Sequence, residues 1–480
     1  MNSINSTYLA RDVIAHHLRL FGIRGAQAPR ILVAPHAEEL AQLDPDGVLV
    51  IVQPQESACA VLGVHRKIVT GIVPRVFVGY QGLPAAARLR SLHDFHAYEA
   101  AGDVLLSDAQ HGPVWLVLRH GRSTVILVGT ELAADLIRYR QGDPAQVMGD
   151  RGGDLWGIAG ERPVYLYAAQ REGEDDHCRH ADYWALLLAT ALERHTQLVR
   201  EPMFPCNAPG AVVVTGDDDQ AFLDKYAEQQ RVLGDTPITY LLHPLTKHTR
   251  KTLRQMRRAN PRVDLGIHPD ALETPDEYGD RLQEQVEWYR GLVGEQPESV
   301  RNHGFLNDGY WGHLPSWERE GIVFSSNLPG VGGTVLNGSL LPARMAMPEG
   351  LTGHWSLLTT FGDGMCSIYG WSQEEARQRI LKYGQAVRDS GLPGILVFNL
   401  HPQNISEMPG LHQAVHDLIA EGFLAWNMRD CLDWALAADG QAPRRRARQG
   451  GLSRLLAGLK FWEARGKQVW DVYKEIARDI

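Results

Sequence analysis

Short apolar runs rich in valine, isoleucine and leucine recur along this chain, each separated from the next by a stretch of helical periodicity. That alternation restricts the fold more than any other feature. A strand that is apolar at successive positions must be covered on both faces, and the intervening helices supply the cover. Between Arg30 and Leu198 the runs are RILVA, GVLVIVQP, PRVFVGY, VWLVLRH and TVILVG, with helical stretches at 131–139 and 182–193. This pattern predicts an N-terminal α/β domain over residues 1–200. No glycine-rich phosphate fingerprint follows any of its strands, which argues against a dinucleotide site. A polar cluster, EDDHCRH, brings Asp175, Asp176, His177, Cys178 and His180 together in sequence. Consecutive ligands in a polar stretch seldom converge on one point, so it is read as a solvated loop.

The stretch REPMFPCNAP, with three prolines and no periodicity, marks a boundary near residue 200. A second strand–helix series then runs over 201–440. Strands are expected at 212–214, 238–242, 263–266, 299–301, 322–325 and 395–400. Helices are expected at 220–233, 246–260, 275–292, 310–320 and 371–390. Repeated βα units of this kind close into a barrel or spread as an open parallel sheet. Residues 441–480 are a third segment, carrying a net charge of +6 and leaving −15 on the rest. Leu452, Leu455, Leu456 and Leu459 stand there at helical spacing beside basic residues. This is a basic amphipathic helix, suited either to docking on the body of the protein or to peripheral contact with an anionic membrane.

Composition narrows the class. Hydrophobic residues make up 44% and charged residues 22%, proportions of a folded chain, and the net charge of −9 gives no support to nucleic-acid binding. The five cysteines are scattered, against both a disulfide framework and a cysteine-based metal site. The first residues lack the apolar core of a signal peptide and no run is long enough to cross a bilayer, so a cytoplasmic location is expected.

The chemistry concentrates at AVVVTGDDDQ, where Val212–Val214 lead into Asp217, Asp218 and Asp219. Adjacent carboxylates repel in apolar surroundings; they persist if a cation neutralises them, if one keeps a proton, or if they face water. The first is preferred here, because other strand ends offer partners: His243, His268, Arg301 with His303, and His401. In parallel βα folds those ends face a common cleft. A carboxylate and two imidazoles leave a divalent ion with open positions, a second carboxylate takes a proton from water, and a histidine opposite protonates the leaving group.

The order TGDDD, GIHP, RNH and NLHP resembles the polysaccharide deacetylases of the NodB-homology group, carbohydrate esterase family four, over roughly 211–437. The resemblance implies a distorted (β/α) barrel that removes acetyl groups, mostly N-acetyl groups, from glycans with zinc or a similar ion. It implies Asp217 as catalytic base, Asp218 and His268 as metal ligands, Arg301 as the residue steadying the base and His401 as general acid. Asp363 in TTFGDGM matches the aspartate that tethers the arginine. Two positions depart from the family pattern: Leu272 stands where a second ligating histidine is expected, and His303 replaces the proline of the third motif. His303 is therefore expected to supply the missing imidazole, giving an Asp218–His268–His303 site, with His243 and His248 as reserve ligands. The expected function is metal-dependent deacetylation of an N-acetylated sugar or glycan precursor. The alternative is a catalytically degenerate glycan-binding or scaffold protein of polysaccharide biosynthesis.

Overall fold

The computed structural model describes residues 7–442 and Arg444, apart from 26–27, 43–45, 72–74, 79–81, 85–86, 147–165, 168–177, 220, 273, 308, 311 and 331–334. The expectation for 441–480 thus falls almost wholly outside the described residues, as do Asp175, Asp176 and His177. None of the described helices is long and apolar enough to cross a membrane.

The first segment builds a five-stranded sheet in the order 30–33, 48–52, 123–128, 112–120, 103–108. Its first three strands are parallel and the rest antiparallel. Strand periodicity decides its layers. Leu49 and Ile51 pack with Ala58 and Cys59 of the helix Glu56–Leu62, whereas Val50 and Val52 face the core that holds the helices Thr7–Leu20, Leu132–Gln141 and His180–His195. Cys178 and His180 correct the solvated-loop reading. Both are buried, the thiol lies 3.2 Å from His180 Nε2, and the ring's Nδ1–H donates to the Arg88 carbonyl at 2.7 Å.

The second segment forms a ten-stranded sheet whose main path is 343–347, 350–359, 324–329, 299–300, 263–267, 238–242, 210–217, 394–399, 361–362. All pairings are parallel except the hairpin 343–347/350–359. The ladder is open. Still, a single run of chain flanks both sides: 355–359 pair the strand Phe324–Pro329, and 361–362, just past Thr360, pair Gly394–Asn399. The expected α/β architecture with parallel strands is present, and most helices begin two to four residues later than periodicity suggested. The hairpin at 343–359 and the short strand Leu424–Trp426, beside 211–213, were not anticipated.

Alternation again sorts the side chains. Val212, Val214, Tyr240 and Leu242 face the outer helices, with Tyr226, Leu253 and Met256. Ala211, Val213, Leu241, Ile395 and Val397 face inward, and their cluster continues into the first segment through Trp355 and the helix Thr7–Leu20. Several contacts fix that junction: His16 stacks obliquely 5.1 Å from Trp355, and its Nδ1 pairs with the buried Asp439 at 3.0 Å. The helices Thr7–Leu20 and Leu132–Gln141 therefore sit against the 343–359 hairpin, and Arg179 reaches the Leu392 and Pro393 carbonyls just before the strand Gly394–Asn399.

Candidate active site

The strand Gly210–Asp217 carries the acidic run, and period two governs it. Thr215, Asp217 and Asp219 lie on the inner side; Asp218 lies on the outer one. Gly216 also faces outward, where an added Cβ would meet the Tyr240 ring at 3.0 Å, so the aromatic cover there comes from the neighbouring strand.

Asp217 is almost fully buried. Its Oδ1 accepts from Arg301 Nη1 at 2.7 Å, and its Oδ2 from Asn399 Nδ2 at 2.7 Å. Burial works against its charge, but Arg301, His268 and His401 outweigh it and hold the carboxyl below its usual range. Arg301 is itself fully buried, with Nε donating to the Ser326 carbonyl, Nη1 also to Thr215 and Nη2 to Thr359. The expected pairing of Arg301 with Asp217 is thus in place. The turn after Arg301 is constrained: Gly304 and Phe305 both have left-handed backbone, at φ 59° and 55°. This costs a non-glycine residue on the order of 1–3 kcal/mol and sets the Phe305 ring 5.5 Å from the guanidinium.

Asp363 does not tether Arg301, which corrects the sequence expectation. Gly362 pairs with Asn399, so Asp363 is delivered beside the next strand's end instead. There Asp363 Oδ2 accepts from the His401 backbone N–H at 2.8 Å, and its Oδ1 makes a short hydrogen bond with His401 Nδ1. The other ring nitrogen, Nε2, faces Asp219 Oδ2 at 3.4 Å and Asp217 Oδ2 at 3.9 Å. Burial disfavours the imidazolium, yet Asp363, Asp219 and Asp217 push its pKa up to about 10.

Asp219, His268 and His303 converge, each offering one atom within 4.8 Å of the others. Asp219 Oδ1 stands 3.4 Å from His268 Nε2 and 3.8 Å from His303 Nε2. Ligand atoms roughly 2.1 Å from a tetrahedral ion are about 3.4 Å apart, so these residues fit a divalent metal. The donor chemistry fits as well. His268 Nδ1 lies 2.7 Å from the Arg301 carbonyl, which can only accept; Nδ1 carries the proton and Nε2 is left to face Asp219. Burial raises the Asp219 carboxyl, but His268, His401 and His303 hold it well below the usual carboxylate range.

Asp218 is not brought into this group, in contrast to the expected Asp218–His268–His303 set. It is wholly buried on the outer side beside the hydroxyls of Thr246 and Tyr226, and neither oxygen has a hydrogen bond of ordinary geometry. Burial raises its pKa, with Thr246 and Tyr226 opposing. His248 is a core residue in edge contact with Tyr226, and burial pushes its pKa down to about 4. His243 is buried as well and bonds Asp270, an acidic residue in GIHPD that no motif singled out. Asn399 was missed too; its position before Leu400 and His401 on a strand end was the available signal.

Asp217, Asp219, His268, His303, Asn399 and His401 line one cavity of about 270 Å³. Phe305, Met365, Ile368 and Tyr369 add apolar lining to it. No family model matches the chain, and no curated protein matches it. Among solved structures, it is similar to a Puue allantoinase, at 14% identity over 51% of this chain and 96% of that one, with a TM-score of 0.40. A probable polysaccharide deacetylase from Pseudomonas aeruginosa PAO1 shares 13% identity over 51% and 97%, with a TM-score of 0.41. The chitin deacetylase of the fungal pathogen Colletotrichum lindemuthianum shares 17% over 51% and 94%, with a TM-score of 0.33.

Proposed function

We propose that the chain is a metal-dependent hydrolase that removes an acetyl group, most readily an N-acetyl group, from a carbohydrate or glycan precursor. The observation that carries this reading is that Asp217 and His401, 3.9 Å apart, line one cavity together with the Asp219, His268 and His303 cluster. Those three would hold the ion, zinc by their nitrogen and oxygen donors, and the ion would supply Lewis acidity toward water and the substrate carbonyl. Asp217, kept ionised by Arg301 and oriented by Asn399, would take the proton of the attacking water. His401, charged and fixed by Asp363, would give a proton to the departing nitrogen. Amide cleavage needs both transfers, which distinguishes this set from a simple metal-binding cluster.

The test pairs elemental analysis of the purified protein with acetate release from a panel of N-acetylated sugars. Stoichiometric metal with acetate release, both lost in Asp219→Ala, supports the reading. Sugar binding with neither acetate nor metal would make the chain a glycan-binding protein instead.

A further inference from the structure

The second cluster of ligand-type side chains, His243, Asp270 and His303, shares one residue with the first and has its own candidate geometry for an ion. Its hydrogen bonds decide between binding and support. His243 Nδ1 accepts from the Leu245 backbone N–H at 3.1 Å, so the ring's proton is on Nε2. That nitrogen lies 3.1 Å from Asp270 Oδ2 and donates to it. With one nitrogen accepting from backbone and the other protonated, His243 has no lone pair to offer a metal.

Asp270 is held firmly. Its backbone N–H donates to Gln285 Oε1 at 2.9 Å, its carbonyl accepts from Gln285 Nε2 at 2.7 Å, and its Oδ1 accepts from the Leu272 N–H at 3.2 Å. The same Oδ1 lies 3.2 Å from His303 Nδ1, an ion-pair contact whose angle falls short of an ordinary hydrogen bond. The carboxylate is nonetheless the charge facing Nδ1, which favours the proton of His303 there and leaves Nε2 toward Asp219. His268 gets the same service from the Arg301 carbonyl. Both imidazoles thus turn Nε2 toward Asp219, His268 with a hydrogen bond at Nδ1 and His303 with only the carboxylate charge beside it.

On the reading of Asp219, His268 and His303 as a metal site, we propose that Asp270, itself anchored by His243, is a positioning residue that selects the His303 tautomer and turns its Nε2 toward Asp219. The Asp270–His243 pair is the support that lets a histidine from the RNH turn serve in place of the residue that Leu272 cannot supply.

The experiment compares wild type with Asp270→Asn, Asp270→Glu and His243→Phe by zinc affinity in chelator competition, and by nitrogen-15 NMR of the His303 ring in metal-free protein. Asp270→Asn should weaken zinc roughly 10–100-fold, the usual effect of losing such a partner. It should also shift His303 from the Nδ1–H form toward a mixture, while the thermal midpoint of the metal-free protein stays near wild type. Asp270→Glu should recover part of the affinity, and His243→Phe should weaken zinc less than Asp270→Asn. Unchanged affinity and tautomer in Asp270→Asn would overturn the proposal. So would loss of all zinc in His243→Phe with retention in His268→Ala, which would make the second cluster the site. If wild type binds no divalent ion, the metal reading falls, and the His303 tautomer in Asp270→Asn still decides whether Asp270 sets it.

Discussion

Replacing Arg301 by methionine isolates the central electrostatic claim. Four groups lose a donor, but three keep partners: Thr359 Oγ1 still donates to the Ser326 carbonyl, and Thr215 Oγ1 still reaches the Phe398 carbonyl. Asp217 does not. It would remain 3% exposed with a single donor, Asn399. Removing one member of a buried pair costs roughly 3–5 kcal/mol, most of it the stranded charge. Urea unfolding of metal-free protein at pH 7 should therefore show Arg301→Met less stable by about that amount. The same substitution in an Asp217→Asn background should cost roughly 1–3 kcal/mol less, because no charge is stranded. The pH dependence has a definite sign. In the wild type the depressed Asp217 pKa adds stability above the unfolded carboxylate value, lost as pH falls through the folded one. In Arg301→Met the largest opposing charge is gone and only His268 and His401 remain, so that pKa rises and the deficit should shrink as pH falls through it. A penalty below about 1 kcal/mol, or one equal in both backgrounds, would refute the pairing as the reason for this buried arginine.

Three further outcomes are expected. Asp219→Ala should abolish stoichiometric metal whereas Asp218→Asn should retain it, measured by elemental analysis. Asp363→Asn should lower the His401 titration midpoint from about 10, followed by NMR; the stability His401 contributes below the unfolded histidine value should then disappear at a lower pH as pH rises. His354 is fully buried, with Nε2 2.9 Å from Ser325 Oγ and its pKa pushed down to about 4 by burial. Stability should thus fall as pH drops from about 6.5 toward 4, by up to ~3 kcal/mol from this residue, and His354→Gln should flatten that slope in unfolding titrations.

Much of this was legible in the residues. Valine-rich runs followed by helical period placed the parallel strands, and the polar residues just past them are the ones that meet. Asp217, His268, Arg301, His303 and His401 were all identifiable because strand ends share a mouth. The register of the carboxylates was misread: motif order paired 217 with 218, while the pleat puts 217 and 219 on one side. Applying period two to VVVTGDDD would have corrected it. Asp363 was found for the wrong partner, since sequence distance does not tell which strand the 361–362 segment joins. Asp270 was invisible for a related reason, because a bracing carboxylate acts through hydrogen bonds that have no spacing rule. The 343–359 hairpin lay in a glycine-rich passage where neither period is sustained.

The apolar interior that runs from Val213 and Ile395 through Trp355 to Val13 and Leu18 has a practical corollary. A protein cut at residue 200 would lay bare a hydrophobic wound on each piece. The C-terminal half expressed alone should precipitate, and co-expression of both pieces should return it to solution as a non-covalent complex.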